Sequence, residues 1–150
     1  MISVDVISEE KAWSKKLKKK ELFFKKICRS FPKKYKFLQK KINFTLLLSN
    51  NKRIKKLNKS FRNKNKPTDI LSFPSNNKIK ENYIGDIIIS YNFIDKPKSQ
   101  SFKIFKEKLI KIFIHGFLHL LNFDHIKDKD YIKMLKEEEL IYKSVISKLN

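Results

Sequence analysis

Apolar and polar residues alternate from Ile2 to Ile7, the period-two pattern of a half-buried strand. Ser8-Glu9-Glu10 then reads as the opening of a helix with acidic residues in its first turn. Trp13, Leu17, Leu22, Phe23, Phe24 and Ile27 supply its apolar stripe to about Phe31, where Pro32 stops it. A short helix is expected over Lys34–Gln39 and a strand over Lys41–Ser49. Asn50 or Asn51 can cap a further helix to about Phe61, with Ile54, Leu57 and Phe61 on one face. A polar loop, Arg62–Pro67, leads to a short strand over Asp69–Phe73 that Pro74 closes. A second loop covers Ser75–Glu81, and Tyr83–Ser90 is a strong strand. After a turn at Pro97, Ser101 starts a long helix through about Leu121, with Phe102, Phe105, Leu109, Ile112 and Phe113 toward the core. Asp128 opens a last helix that ends near Leu149. No repeat, linker or low-complexity tract interrupts this order. The pattern predicts one α+β domain over residues 1–150, with a sheet of about four strands covered by helices.

Composition adds a partner class. Lys and Arg total 36 against 15 Asp and Glu, a net charge of +21 that favours polyanions such as RNA or DNA, or an anionic membrane surface. The excess is almost all lysine, in a chain also rich in Ile, Asn and Phe, all residues with A/T-rich codons, so codon bias competes with selection for a partner as its origin. Arginine appears only as Arg29, Arg53 and Arg62. Cys28 is the one cysteine and sits at helical spacing with Phe24, Ile27 and Phe31, so it is expected to be a core residue. Met1–Lys11 carries three acidic residues and lacks the apolar core of a secretion signal, and no stretch reaches membrane-span length. A cytoplasmic protein with no membrane partner is the expectation.

All three histidines of the chain fall in His115-Gly-Phe-Leu-His119-Leu-Leu-Asn-Phe-Asp-His125. His115 and His119 share one face of a helix. His125 can join them only if the chain reverses, and Asn122 is the residue to do so, since Asn tolerates the left-handed conformation at a helix end. Three neutral imidazoles make a zinc-like site with one open position, as catalytic rather than structural sites have. Gly116, one of only two glycines, is expected to allow close approach of helix to sheet or of substrate to metal. The spacing also resembles the metzincin proteases, but those carry a glutamate general base where this chain has Gly116, which disfavours peptide hydrolysis.

The histidine segment is similar to the signature H-G-x-L-H-L-x-G-Y-D-H of the YbeY endoribonucleases. Two further segments resemble that family in the same order. One is Leu57-Asn-Lys-Ser-Phe-Arg62-Asn-Lys-Asn-Lys-Pro67-Thr-Asp-Ile-Leu-Ser-Phe-Pro74, the other Ile84-Gly-Asp-Ile-Ile-Ile-Ser90. The chain departs from the signature at Asn122, where the family has glycine, and at Phe123, where it has tyrosine. The resemblance implies a metal-dependent endoribonuclease that prefers single strands and acts in ribosomal RNA maturation, at the small-subunit 3′ end, and in ribosome quality control. It also implies a mixed sheet and a metzincin-like metal helix. Zn2+ is the expected cofactor, and single-stranded and ribosomal RNA and the ribosome are the expected partners.

Around the metal, Arg62 is the candidate catalytic cation, because a guanidinium forks onto two phosphoryl oxygens. Lys64 and Lys66 are candidates for RNA backbone contacts, and Phe61 and Phe73 for base stacking. Asp124 can orient a ligand imidazole, cap the last helix or sit in water; Asp86 can support the cleft or serve a surface turn or strand start; and Asp69 caps or braces its loop. The run Glu137–Glu139 is expected to be a solvated helix face. Two other readings compete: a ribosome-associated RNA-binding factor with a mainly structural metal, and a metallopeptidase-like hydrolase.

Overall fold

The computed structural model describes residues 1–76 and 82–149. Its centre is a four-stranded mixed sheet of β1 (Ile2–Ser8), β2 (Ile42–Ser49), β3 (Ile70–Pro74) and β4 (Tyr83–Ser90), in the order β1-β2-β4-β3. β1, β2 and β4 run parallel, and β3 pairs antiparallel to β4. Six α-helices among the described residues surround it: α1 (Ala12–Lys16), α2 (Lys20–Arg29), α3 (Asn51–Arg62), α4 (Tyr91–Ile94), α5 (Phe102–Leu120) and α6 (Asp128–Leu149).

The central strands read as continuous apolar runs because both of their faces are covered. Ile87 and Ile89 of β4 belong to the large core, with α1, α2, α5 and α6 on that side. Ile88, between them, meets Ile54 of α3 and Leu71 of β3 on the other face. Edge strand β1 is covered on one face only, so Val4 is buried while Ser3, Asp5 and Ile7 are exposed. Phenylalanines are among the largest side chains of the large core: Phe44 of β2 packs tilted at 5.9 and 5.7 Å from Phe113 and Phe117 of α5. Phe24 and Phe31 close on the same two rings at 5.0 Å each. Cys28 is buried among these residues, as its spacing predicts. No helix among the described residues is long and apolar enough to cross a membrane.

Four details depart from the sequence reading. The helix expected from Ser8 to Phe31 is two helices, because Leu17 is extended (φ −121°, ψ 99°). One unbroken helix would bring Lys20 into the stripe of Trp13, Leu17 and Phe24; the break keeps those three buried, leaves Lys18 and Lys19 exposed and turns Lys20 to the Ser14 hydroxyl at 2.7 Å. Glu9 and Glu10 are not in a first helical turn; they accept hydrogen bonds from Ser49 Oγ and Asn50 Nδ2. The helix expected over Lys34–Gln39 is a single 3-10 turn, Lys33–Tyr35. Leu22, Phe61 and Phe102 are exposed at 39%, 68% and 47%, so each apolar stripe is narrower than its residue types suggest. The α4 turn after β4 is additional. The loop expected at Ser75–Glu81 lies partly outside the described residues.

Candidate metal centre

Helix α5 builds the site and the core at once. Its N-terminus is capped by Ser101, whose hydroxyl accepts from the Ile104 N–H at 3.2 Å. Phe105, Leu109, Phe113 and Phe117 recur every four residues and face the core. His115 and His119 point roughly 200° around the helix from Phe113 and Phe117 at 100° per residue. Burial of the phenylalanines therefore aims both imidazoles outward, and both are half-buried.

Gly116 lets the helix lie close on the sheet. A Cβ there would come 2.6 Å from Ile70 Cδ1, 3.1 Å from Ser72 Oγ and 3.2 Å from Ile87 Cγ2. Of the two roles open to this glycine, approach to the sheet is the one the contacts display. Gly85 does related work in β4: its φ is +138°, and a Cβ would fall 2.2 Å from the Phe73 carbonyl oxygen and 2.9 Å from Leu120 Cδ2. Strand and helix end meet there with no room for a side chain.

The chain reverses at Asn122, which takes φ +70° as expected. The Asn122 N–H reaches the His119 carbonyl at 2.9 Å, and the Phe123 N–H reaches that of Leu118 at 3.1 Å. This bond pair is the Schellman closure of a helix. It returns Phe123 to the core edge and places His125 beside the helix pair. The ring centroids of His115 and His119 are 4.6 Å apart, and those of His125 lie 5.5 and 5.1 Å from them. One ligand nitrogen from each of the three imidazoles lies within 4.8 Å of the others.

The hydrogen bonds around the rings assign their tautomers. His119 Nδ1–H donates to the Phe123 carbonyl at 2.9 Å. His115 Nδ1–H donates to the Glu138 carboxylate. Both Nε2 atoms are thereby left as acceptors, and they face each other at 3.1 Å. Two nitrogens each about 2.0–2.1 Å from a tetrahedral ion lie roughly 3.3 Å apart, so the spacing fits a shared divalent cation. Without a cation between them, two such lone pairs repel. The three-imidazole donor set fits zinc chemistry, and exposed His125 completes the site on its solvent side. The His119 pKa is lowered, first by burial and then by His115; the Phe123 bond opposes this, while His125 and Arg62 add to it. A neutral ring is the form a metal needs.

That last contribution locates Arg62. It ends α3, and its positive charge is the last of the influences that lower the His119 pKa. Asn63 follows in the left-handed conformation (φ +54°) and closes the helix. Buried Asn58 donates to the Lys66 carbonyl at 2.9 Å, anchoring the loop that carries Lys64 and Lys66, both exposed. Phe61, also exposed, packs edge-on to Phe73 at 5.3 Å.

The remaining acidic candidates are not brought to the imidazoles. Asp124 is exposed and accepts from the Ile126 N–H at 3.4 Å, shaping its own turn. Asp86 is exposed on β4, and the Tyr83 hydroxyl donates to it. Since Asp86 and Ile88 point the same way along the strand, it lies on the sheet face opposite α5. Asp69 accepts from Thr68 Oγ1 at 3.2 Å and its carbonyl from the Ser90 N–H at 2.9 Å, bracing the loop as expected. Glu138 is the partner that sequence reasoning missed. The run Glu137–Glu139 is not one solvated face: Glu137 pairs with Lys34 at 2.7 Å, Glu138 pairs with His115, and Glu139 is exposed. A signal was present, because Glu138 falls in line with buried Met134, Ile141 and Val145 of α6. A carboxylate in an apolar stripe needs a partner.

A model described as endoribonuclease YbeY matches residues 5–146. The chain belongs to the YbeY family of endoribonucleases. It is 63% identical to endoribonuclease YbeY of Pelagibacter ubique over 152 residues, covering 99% of each chain. It is 40% identical to that of Buchnera aphidicola over 84% of this chain and 81% of the relative. The solution structure of TM1509 from Thermotoga maritima superposes with a TM-score of 0.61 at 26% identity, covering 95% of this chain and 89% of that one. YbeY proteins are metal-dependent endoribonucleases, and the three histidines can hold the ion that such chemistry needs.

Proposed function

We propose that this YbeY-family chain is a Zn2+-dependent endoribonuclease that cuts single-stranded RNA at the His115-His119-His125 centre. Its RNA is ribosomal, in small-subunit 3′-end maturation and ribosome quality control, and its place is the cytoplasm with the ribosome as partner. The observation that carries the reading is the convergence of the two Nε2 atoms at 3.1 Å with exposed His125 on their open side.

Zinc held there supplies Lewis-acid polarisation of a phosphoryl oxygen and acidification of water. The chain's own residues do the rest. The Phe123 carbonyl fixes the His119 ring so that Nε2 faces the metal position it shares with His115 Nε2. Arg62 forks onto the nonbridging oxygens, where charge accumulates as the phosphodiester is cut. Lys64 and Lys66 hold the flanking backbone on their anchored loop, and Phe61 offers an exposed ring for an unpaired base. Stacking of this kind requires a base out of its duplex, which supports single-strand preference. The peptidase alternative has no support at residue 116: Gly116 carries no general base, and it packs the helix against Ser72 and Ile87 of the sheet.

The test is cleavage of single-stranded RNA by zinc-loaded wild type and His119→Ala. Wild type should cut and the variant should not. Equal cleavage by both would overturn the site assignment. Binding without cleavage by fully metallated wild type would instead favour the RNA-binding factor with a structural metal.

A further inference from the structure

Glu138 stands on α6, 23 residues beyond His115, in a stripe whose other members, Met134, Ile141 and Val145, are all buried. Its side chain is 25% exposed and that of His115 30%. A half-buried carboxylate at such a position is costly unless it is hydrogen-bonded. Its partner is one ring nitrogen, His115 Nδ1. The geometry is directional: Nδ1 faces α6 while Nε2 faces the His119 Nε2. His119 has a neutral carbonyl at the equivalent place, so the two rings on one helix are oriented by acceptors of different kinds.

Building on the metal reading above, we infer that Glu138 is a positioning residue for the metal centre. It selects the His115 tautomer that keeps a proton on Nδ1 and a lone pair on Nε2, and it makes α6 a structural part of the site. The physical basis is general. An imidazole has two tautomers, and an acceptor fixed against Nδ1 favours the one whose Nε2 can ligate. A carboxylate acceptor also makes that nitrogen more basic, and loss of such a partner typically costs a site about 10- to 100-fold in metal affinity. Glu138 holds the ring and touches neither the RNA nor the reacting atoms.

The experiment compares wild type, Glu138→Gln, Glu138→Ala and Glu139→Ala. Zinc affinity is read by competition with a chromogenic chelator, and the His115 tautomer by 15N–1H correlation spectra of the metal-free proteins. Thermal melts of all four check folding. Glu138→Ala should weaken zinc binding by about 10- to 100-fold and spread His115 over both tautomers. Glu138→Gln keeps a carbonyl acceptor for Nδ1–H and should restore the Nδ1–H tautomer and most of the affinity. Glu139→Ala, at an exposed position, should match wild type. An unchanged tautomer and unchanged affinity in Glu138→Ala would overturn the inference. If Glu138→Ala does not fold, the Gln variant decides: a wild-type tautomer supports the role, and a mixed one refutes it. The two proposals fail separately. Tight zinc binding and a shifted tautomer without RNA cleavage would strike the ribonuclease reading alone.

Discussion

The hydroxyl of Ser72 in β3 donates to the Gly116 carbonyl of α5 at 3.2 Å, one residue from His115. A helix carbonyl is reached this way only when the helix lies very close to the strand, and the missing side chain at 116 is what permits it. Gly116→Ala should therefore cost stability although alanine favours helix by about 1 kcal/mol. Its Cβ would meet Ile70 at 2.6 Å, Ser72 at 3.1 Å and Ile87 at 3.2 Å. Ile70 Cδ1 can rotate away, but the Ser72 and Ile87 contacts must open as well. Overpacking of this kind costs about 1–3 kcal/mol, so we expect a net loss of about 1 kcal/mol in urea unfolding. Lifting α5 from the sheet also displaces His115, and zinc affinity should drop with stability. A variant as stable as wild type and with full affinity would contradict the close-approach role.

Asn122 offers the opposite test, since here the substitution improves the backbone. Its φ of +70° is strained for an L residue and free for glycine. Asn122→Gly should be neutral or slightly stabilising and should keep zinc. Asn122→Val should lose about 1–2 kcal/mol, the cost of the left-handed conformation for a residue with a bulky Cβ. The valine variant should also bind zinc more weakly, because the same turn delivers the Phe123 carbonyl to His119 and brings His125 into place. Chemical unfolding and chelator competition on the pair would separate the two effects.

These two residues show how much of the centre was legible beforehand. A spacing of four puts two histidines on one helix face, and only a reversal lets the third reach them; Asn122 is the residue there that tolerates one. The apolar runs of β2 and β4 likewise announced strands, though not their central place in the sheet. Features that depend on the identity of a distant partner were not legible. Leu17 breaks a helix that local pattern would continue, because burial of Trp13, Leu17 and Phe24 together with solvation of Lys18 and Lys19 outweighs one helical turn. Phe61 and Phe102 look like core by type, and nothing local says that their faces meet water. Glu138 was grouped with its acidic neighbours because three adjacent glutamates look alike in sequence; its line with Met134, Ile141 and Val145 signals burial but does not say that His115 is the partner. The choice of Arg62 over the other arginines came from the family motif, and no periodicity indicated that its charge is felt at His119.

Cys28 carries a pH prediction. Burial pushes its thiol up to about 12, far above the value of about 8.5 for a free cysteine. The folded state thus holds the proton where the unfolded chain releases it. This contribution to stability is complete below about pH 8.5 and declines as pH rises toward 12. Lysines and tyrosines titrate in the same range, so the useful quantity is the stability of wild type minus that of Cys28→Ala. The difference should shrink between pH 8 and pH 10.5. At pH 8 the native thiol should react with a disulfide reagent only as fast as the protein opens. Rapid labelling of the folded protein would show the thiol to be accessible.

Arg62 is exposed, at the C-terminal end of α3, and its charge reaches His119. If its work is to hold phosphoryl oxygens, substitutions should separate catalysis from folding and from metal binding. Arg62→Ala removes a cation from a helix C-terminus, which costs about 0.3–1 kcal/mol. Zinc affinity should not fall, because a neighbouring positive charge opposes a cation at the imidazoles. Cleavage should fall by about 10²-fold, the scale of losing one donor to a developing oxyanion. Arg62→Lys is the sharper variant. It keeps the charge and hence most of the RNA affinity and its salt dependence, but an ammonium is a point charge without the planar fork. A kcat well below wild type with KM nearly unchanged would place the guanidinium at the reacting phosphate. Restoration of full kcat by lysine would instead mean that Arg62 acts only through its charge, as one more contact to the RNA backbone beside Lys64 and Lys66.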